Sequence, residues 1–313
     1  MKNLKVAIIG AGISGLYLAW KLAEKRCDVT VFERKGKPGG KACSGLISER
    51  ILKFIPSAEN NKIIENQIDY CLINFPEKTV KVQFSKKFFA INRFELDDLV
   101  TNLAKKAGAK FFFNHYLNSV PKGFDKIIGC DGASSFLRKS LGLKEPQFRL
   151  GIQGFILKND NSKFVETWPT KSGFLWKIPR GNEVEYGIIE KPERAKKIFD
   201  EFLGKNGLSL KEQNSAIVPQ GLIAPQNPTI TLCGDASGLT KPWSGGGVIW
   251  SLMAAEMLLK NFPDFLKYRN ALKKLFLPKI LLSKMATKTI YFLGFKIPWL
   301  LFKNYKIESD FLI

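Results

Sequence analysis

Near its start the chain reads Val6-Ala7-Ile8-Ile9-Gly10-Ala11-Gly12-Ile13-Ser14-Gly15, and Glu33 closes the next apolar run. Residues 4–9 have the character of a buried strand that runs into a glycine turn. An apolar helix follows, marked by Ile13, Leu16, Leu18, Ala19, Leu22 and Ala23, and residues 28–32 form a second strand ending at Glu33. Glycine at position 10 permits the tight turn, at 12 lets the backbone approach a pyrophosphate, and at 15 lets helix pack on strand. The helix N-terminus, which contains Ser14, offers unpaired N–H groups and a partial positive charge to phosphates. Glu33 lies about 20 residues beyond the glycines, where a carboxylate accepts from a ribose hydroxyl; Arg34 stands beside it. GxGxxG alone is a common turn. With strand, helix, second strand and acid in order, it specifies a dinucleotide site.

The 313 residues suffice for one large or two modest domains. A hydrophobic content of 45% with 25% charged residues excludes a disordered chain. The net charge of +21 comes mostly from scattered lysine. It reflects either a lysine-rich composition or attraction to an acidic partner or anionic membrane surface. No arginine-rich tract or nucleic-acid module is present, so no nucleic acid is expected as a partner. The five cysteines form no CxxC pair, so no zinc or iron–sulfur centre is expected. Cys130 and Cys233 end apolar strands and read as core residues. The first apolar stretch is the nucleotide strand and not a leader, so a cytoplasmic location is expected.

Beyond the first unit, residues 35–45 form a glycine-rich loop. Residues 90–108 read as a strand end and a helix with Leu96, Leu99, Leu103 and Ala107 on one stripe. Short strands are expected at 111–113, 126–130 and 229–233, and helices at 196–203 and 248–259. Residues 148–157, 164–168, 173–178 and 184–189 have strand character, with turns at Asn159-Asp160 and Arg180-Gly181-Asn182, and suggest an antiparallel sheet. The expected fold is α/β, with a Rossmann-like nucleotide domain interrupted by an antiparallel β-sheet substrate domain and followed by a helical C-terminal segment. The expected divisions are 1–70, 92–147 and 216–265 for the first domain, 71–91 and 148–215 for the second, and 266–313 for the tail.

Two further motifs make the dinucleotide site a flavin site. They are Cys130-Asp131-Gly132-Ala133-Ser134-Ser135, with Arg138 after it, and Leu232-Cys233-Gly234-Asp235-Ala236-Ser237-Gly238. Each puts an aspartate directly after an apolar strand, at the carboxyl edge where α/β sheets bind ligands. Taken singly, each aspartate reads more readily as a helix N-cap than as a ligand. Their order after GxGxxG resembles the FAD-dependent hydroxylase/reductase superfamily, of the glutathione-reductase/hydroxylase type. The resemblance implies FAD as cofactor. Gly10, Gly12, Ser14, Gly15, Glu33 and Arg34 would hold its ADP half. Arg93 would open a helix that contacts the cofactor, and Asp131 with Gly132 would join it. Asp235 would bind the ribityl chain. The stretch Pro242-Trp243-Ser244-Gly245-Gly246-Gly247-Val248 would bring a helix N-terminus near the flavin pyrimidine oxygen, where its dipole stabilises the charge of reduced flavin.

Within that superfamily the chain resembles the geranylgeranyl reductase family, in particular its archaeal digeranylgeranylglycerophospholipid reductase-like branch. Pro38-Gly39-Gly40-Lys41-Ala42-Cys43-Ser44-Gly45 is similar to that family's loop, in which a cysteine faces the flavin. Phe174-Leu175-Trp176-Lys177-Ile178-Pro179, then Gly187, is similar to its substrate-cavity motif, although Ile188-Ile189 replaces the second glycine. The resemblance covers residues 1–260. It implies hydride transfer from reduced flavin to an isolated C=C of a geranylgeranyl chain, on an isoprenoid ether lipid or a prenyl diphosphate. Cys43 and Trp176 would be catalytic, with Ala42 at the cofactor; Phe174, Trp176, Pro179, Gly187 and Trp243 would bind substrate. Proton delivery, substrate positioning, redox control or none of these stay open for Cys43. An FAD-dependent aromatic or polyene monooxygenase using NAD(P)H and O2, and a non-catalytic flavin-binding membrane protein, are the alternatives. There is no second GxGxxG, so electrons are expected from an external donor, a ferredoxin-like acidic carrier or NAD(P)H.

Phe148, Phe155, Phe164, Trp168, Phe174 and Trp176 lie on the inserted strands and line either an apolar tunnel or a core. His115, beside residues 111–113, reads as structural. Residues 275–301 are apolar but broken by lysines at 279, 284, 288 and 296, with Lys303 beyond. No run there reaches the roughly 18 residues that a membrane span requires. Basic residues among Trp, Phe and Leu suit an interfacial segment, a cap over the insert, or both.

Overall fold

The computed structural model describes residues 3–40, 42–60, 62–308 and 310. A five-stranded parallel sheet has the order β13 (Ile230–Leu232), β7 (Lys126–Gly129), β1 (Lys5–Ile9), β2 (Asp28–Phe32) and β6 (Lys110–Phe112). The continuous apolar run of β1 follows from burial on both faces. Val6 and Ile8 enter the core shared with helix α1 (Ile13–Glu24), whereas Ala7 and Ile9 pack with Leu137 and Leu232 on the other side. Helices α3 (Arg93–Lys106) and α6 (Val248–Asn261) flank α1. The short helices α2 (Ile51–Phe54) and α4 (Phe136–Ser140) lie in connections.

The second sheet has nine strands in the order β12 (Lys211–Gln220), β8 (Gln147–Asp160), β11 (Gly181–Glu190), β10 (Phe174–Pro179), β9 (Phe164–Pro169), β4 (Ile64–Asn74), β5 (Thr79–Ile91) and β14 (Asn304–Ile307), with β3 (Leu46–Ser48) also on β5. It is not purely antiparallel: β4 pairs β9, and β14 pairs β5, in parallel. It also recruits residues before 71, because β3 and the first half of β4 belong to it, and β12 crosses position 216. In β4 the sequence Ile-Glu-Asn-Gln-Ile-Asp-Tyr lacks clean alternation, and two register shifts against β5 explain why. Helix α5 (Pro192–Lys205) covers the face carried by β8 and β11.

Helix α7 (Phe265–Lys296) is 32 residues long and contains Pro278. Before the proline, Tyr268, Leu272 and Phe276 sit in the nucleotide-domain core; after it, Ile290 and Leu293 pack on the cluster formed by β4 and β5. The tail is not helical throughout, as Pro298 follows the helix end and Asn304–Ile307 forms an edge strand.

Candidate active site

The glycine turn folds as its spacing requires. Gly10 has φ +100°, and a Cβ there would lie 2.4 Å from the Cys130 carbonyl oxygen. Gly15 packs against the Gly10 carbonyl. Glu33 holds the turn from the side: its carboxylate accepts from Ala11 N at 2.7 Å and Lys35 N at 2.9 Å. Arg34 is exposed just past the strand end. Gly10, Gly15, Glu33 and Arg34 therefore shape or flank the turn without lining the central cavity, whereas Gly12 and Ser14 line it.

That cavity, about 480 Å³, joins the residues expected at a flavin. Two helix N-termini border it, those of α1 and α6, and neither has a side-chain cap. Such ends present N–H groups to an anionic or polar ligand. At α6, Lys241 and the glycines close a tight loop, with Lys241 N donating to Gly246 O at 3.0 Å and Gly245 N to Lys241 O at 2.9 Å. Asp235, Gly245, Gly246, Gly247 and Val248 all lie on the cavity wall, and a Cβ on Gly247 would come within 3.1 Å of Asp235 Oδ1. The two aspartate motifs are joined by the buried Arg138, which donates to the carbonyls of Ala133 at 2.6 Å and Ala236 at 2.9 Å.

Asp131 lies just behind the cavity wall, next to Gly132, and braces α4, whose N-cap is Ser135. One oxygen accepts from Leu137 N at 3.0 Å in the first turn of α4, while Oδ1 is buried with no partner. Burial pushes its carboxyl above the usual range. Gly132 lines the cavity. Arg93 opens α3 behind the cap Asn92, whose side chain accepts from Phe94 N and Glu95 N. Its guanidinium donates to Asp97 at 3.1 Å and to Cys43 Sγ at 3.2 Å, leaving Nε buried and unpartnered. Burial also raises the Asp97 carboxyl, against the opposing pull of Arg93. These orphaned polar atoms, the open space before Gly12 and the two uncapped helix ends fit FAD.

Ala42 and Cys43 line the same cavity; Lys41 between them and Gly40 lies outside the described residues. The loop is fastened by Gly39 N to Ala11 O at 3.2 Å and by Gln153 Nε2 to Cys43 O at 3.3 Å. Across from it, Phe174, Trp176 and Trp243 reach the wall. Trp176 lies flat on its cross-strand partner Gly187, where a Cβ would fall 2.3 Å from the indole Cζ2. This contact explains the glycine of the motif: it makes room for the ring and does not itself touch the cavity. Pro179 is likewise off the wall, its carbonyl accepting from Asn66 at 3.0 Å.

From Trp176 the cavity continues as an apolar tunnel, and its walls differ from expectation. Phe148, Phe155, Phe164 and Trp168 do not line it. Phe164 stacks on Tyr70, and Trp168 packs on Phe202 of α5. Alternation turns Phe164 and Trp168 away from the lining Val165 and Thr167, and Phe148 away from the lining Gly151, whereas Phe155 shares the face of Gly151 and Gln153 but lies beyond the cavity, beside Arg180. The walls come instead from Ile73, Phe75, Val80, Val82 and Phe88 of β4, β5 and their connection, and from Ile290 and Tyr291 of α7. Cys71 is a further lining residue, and burial pushes its thiol up to about 12, so it is a neutral wall. Sequence reasoning also missed Arg180, read as part of a turn. It is buried behind Trp176, where it binds Glu185 at 2.8 Å.

Residues 8–58 match the model of an NAD(P)-binding Rossmann-like domain. The chain is 24% identical over 332 residues to an uncharacterized protein of Methanosarcina barkeri, covering 94% of this chain and 84% of that one. It is 23% identical over 300 residues to digeranylgeranylglycerophospholipid reductase 1 of Methanopyrus kandleri, covering 80% and 78%. A geranylgeranyl bacteriochlorophyll reductase-like protein from Thermoplasma acidophilum superposes with a TM-score of 0.82 at 19% identity, over 93% of this chain and 88% of that chain. The GxGxxG turn, the two aspartate motifs and the tunnel therefore sit on the fold of the geranylgeranyl reductase-like flavoproteins, a fold of flavin-dependent oxidoreductases.

Proposed function

We propose that the protein binds FAD and saturates C=C bonds of geranylgeranyl chains, carried by isoprenoid ether lipids or prenyl diphosphates. The observation that carries this reading is one cavity running from the glycine and aspartate motifs, past Cys43 and Trp176, into an apolar tunnel. Bound FAD would supply the hydride. The α1 and α6 ends, Asp131, Asp235 and Arg93 would hold it. Cys43 and Trp176 border the place where cradle and tunnel meet, and the apolar walls keep water from the reacting carbons. Electrons would come from a ferredoxin-like carrier or NAD(P)H, with the basic surface favouring an acidic carrier.

We further propose that the protein works on the cytoplasmic membrane face. Among the described residues no helix is long and apolar enough to cross a membrane. The tunnel-roofing half of α7 and the turn after it expose Leu281, Met285, Phe292, Trp299, Leu300 and Phe302. Lys284, Lys288, Lys296 and Lys303 lie exposed among them. Apolar side chains interleaved with lysine match an anionic lipid surface.

The test is anaerobic incubation of FAD-loaded protein with an unsaturated geranylgeranyl ether lipid and dithionite, followed by product mass. A gain of two hydrogens per reduced bond is expected. No reduction of either the ether lipid or geranylgeranyl diphosphate run in parallel, or an oxygenated product formed in air with NAD(P)H, would reject the reductase reading.

A further inference from the structure

We propose that Arg180 is a positioning residue that locks the Cys43 loop and Trp176 into one register through Glu185. The inference rests on the reading above only in placing the reacting bond between these two residues. Arg180 follows β10 and is 8% exposed. Its Nε and Nη2 donate to Glu185 Oε2 at 3.0 and 2.8 Å, and Nη2 also reaches the Ser44 carbonyl. Nη1 meets Glu65 and the Ile91 carbonyl. The other oxygen of Glu185 accepts from Trp176 Nε1 at 2.8 Å. Two buried side chains thus connect the residue after Cys43 to the indole.

Each end of this connection is otherwise constrained in all but one respect. Gly187 sets the plane of Trp176, and the Glu185 bond sets which way its N–H edge points within that plane. Cys43 is held at Sγ by Arg93 and at its carbonyl by Gln153; the next carbonyl is held by Arg180. Gly45 then presses onto β5, where a Cβ would lie 2.2 Å from the Ile91 carbonyl oxygen that Arg180 also contacts.

The chemistry of the pair favours a positioning role over a stabilising one. Glu185 is fully buried, and burial raises its carboxyl against the opposing charge of Arg180 and the Trp176 bond. A buried ion pair stabilises a fold little better than apolar residues of the same volume. A planar guanidinium, however, serves a carboxylate and a carbonyl at fixed angles, which an ammonium cannot do.

The experiment uses the FAD-loaded full chain and compares Arg180→Lys with Glu185→Gln. Cys43 is the only half-exposed cysteine, the other four being buried, so its alkylation rate reports the loop. Arg180→Lys keeps the charge and loses the fork. It is expected to change Cys43 alkylation severalfold and to lower kcat by up to about 10²-fold, with KM and FAD content held. Glu185→Gln turns one of the two acceptor oxygens into an NH2 donor, so it breaks the connection at Arg180 or at Trp176 and is expected to shift Cys43 alkylation and kcat in the same direction as Arg180→Lys. Arg180→Lys with wild-type alkylation and wild-type kcat overturns the proposal. If Arg180→Lys fails to bind FAD, Trp176→Phe replaces it. This variant removes the N–H bond to Glu185 together with part of the ring's bulk, and keeps an aromatic ring over Gly187. A shifted Cys43 alkylation rate supports the coupling, and an unchanged rate overturns it. Alkylation needs no substrate, so a wild-type protein that reduces neither the lipid nor the diphosphate while Arg180→Lys still shifts alkylation rejects the reductase reading and leaves the coupling supported.

Discussion

Gly10 and Gly12 stand two residues apart and should answer substitution in opposite ways. Gly10→Ala puts a side chain at φ +100° and against the Cys130 carbonyl, so the cost falls on folding. Such backbone strain is about 1–3 kcal/mol before the clash is counted. Gly12 has φ −81° and ψ 174°, open to any residue, with nothing within 4 Å of a Cβ. Gly12→Val is therefore expected to fold like its parent and fail to bind FAD, because its methyl groups fill the space before the α1 N-terminus. Calorimetry of the apoproteins, with FAD titration of each, separates the two effects. Equal loss of stability by both variants would contradict this division. Most of the proposed cofactor cradle was legible in the sequence because glycines and acids next to strand ends mark it, whereas Arg93 was reached only through the family resemblance. Arg180 was not legible, because Arg-Gly-Asn between apolar runs has the composition of a turn. Only the folded sheet shows that its side chain turns inward to Glu185.

At the scale of elements, the β9–β10 hairpin links the second sheet to α7. Glu190, at the end of β11, gathers the side chains of Thr170 and Ser172 and the backbone N–H groups of Ser172 and Lys191. The Gly173 carbonyl in that hairpin accepts from Tyr291 of α7 at 2.8 Å. Burial alone would raise the Glu190 carboxyl, but these hydrogen bonds outweigh it and hold the group below its ordinary range. A depressed folded pKa means that the unfolded chain binds the proton first. The contribution is thus complete above the ordinary carboxylate range and is lost as pH falls through the folded value. Glu190→Gln is expected to cost about 1 kcal/mol at pH 7, with the difference from wild type closing as the medium is acidified. Urea titrations from pH 7 down to about 3 check this, and a constant gap would refute it. The parallel strands and long helices of the first domain were legible because apolar runs and one-sided apolar stripes mark them. The tunnel walls were not: β4 hides its inward face behind two register shifts, and the opposing wall comes from a helix about 200 residues later in the chain.

For the whole molecule, the surface around the second half of α7 predicts how attachment should behave. Anionic vesicles are expected to pellet the protein, less at high salt but still measurably, because each lysine near the surface contributes about 1 kcal/mol and the apolar contacts are insensitive to salt. Changing Lys279, Lys284, Lys288, Lys296 and Lys303 to Gln should remove the salt-sensitive part. Equal pelleting of both proteins would leave the helix as a cap alone. Pro278 gives the same helix a mechanical character. With no N–H there, the bond to the carbonyl four residues earlier is missing. One arm is anchored by Tyr268, Leu272 and Phe276 in the nucleotide core, and the other carries Tyr291 over the tunnel. The proline thus marks a weakened turn at which the helix is expected to bend most easily, next to Ile280, the last of its residues in the nucleotide core. If a lipid surface tilts the outer arm, the tunnel is expected to widen while the inner arm stays packed in the nucleotide core. Amide exchange is expected to be faster in residues 279–296 than in 266–277, and vesicles should change it only in the outer arm.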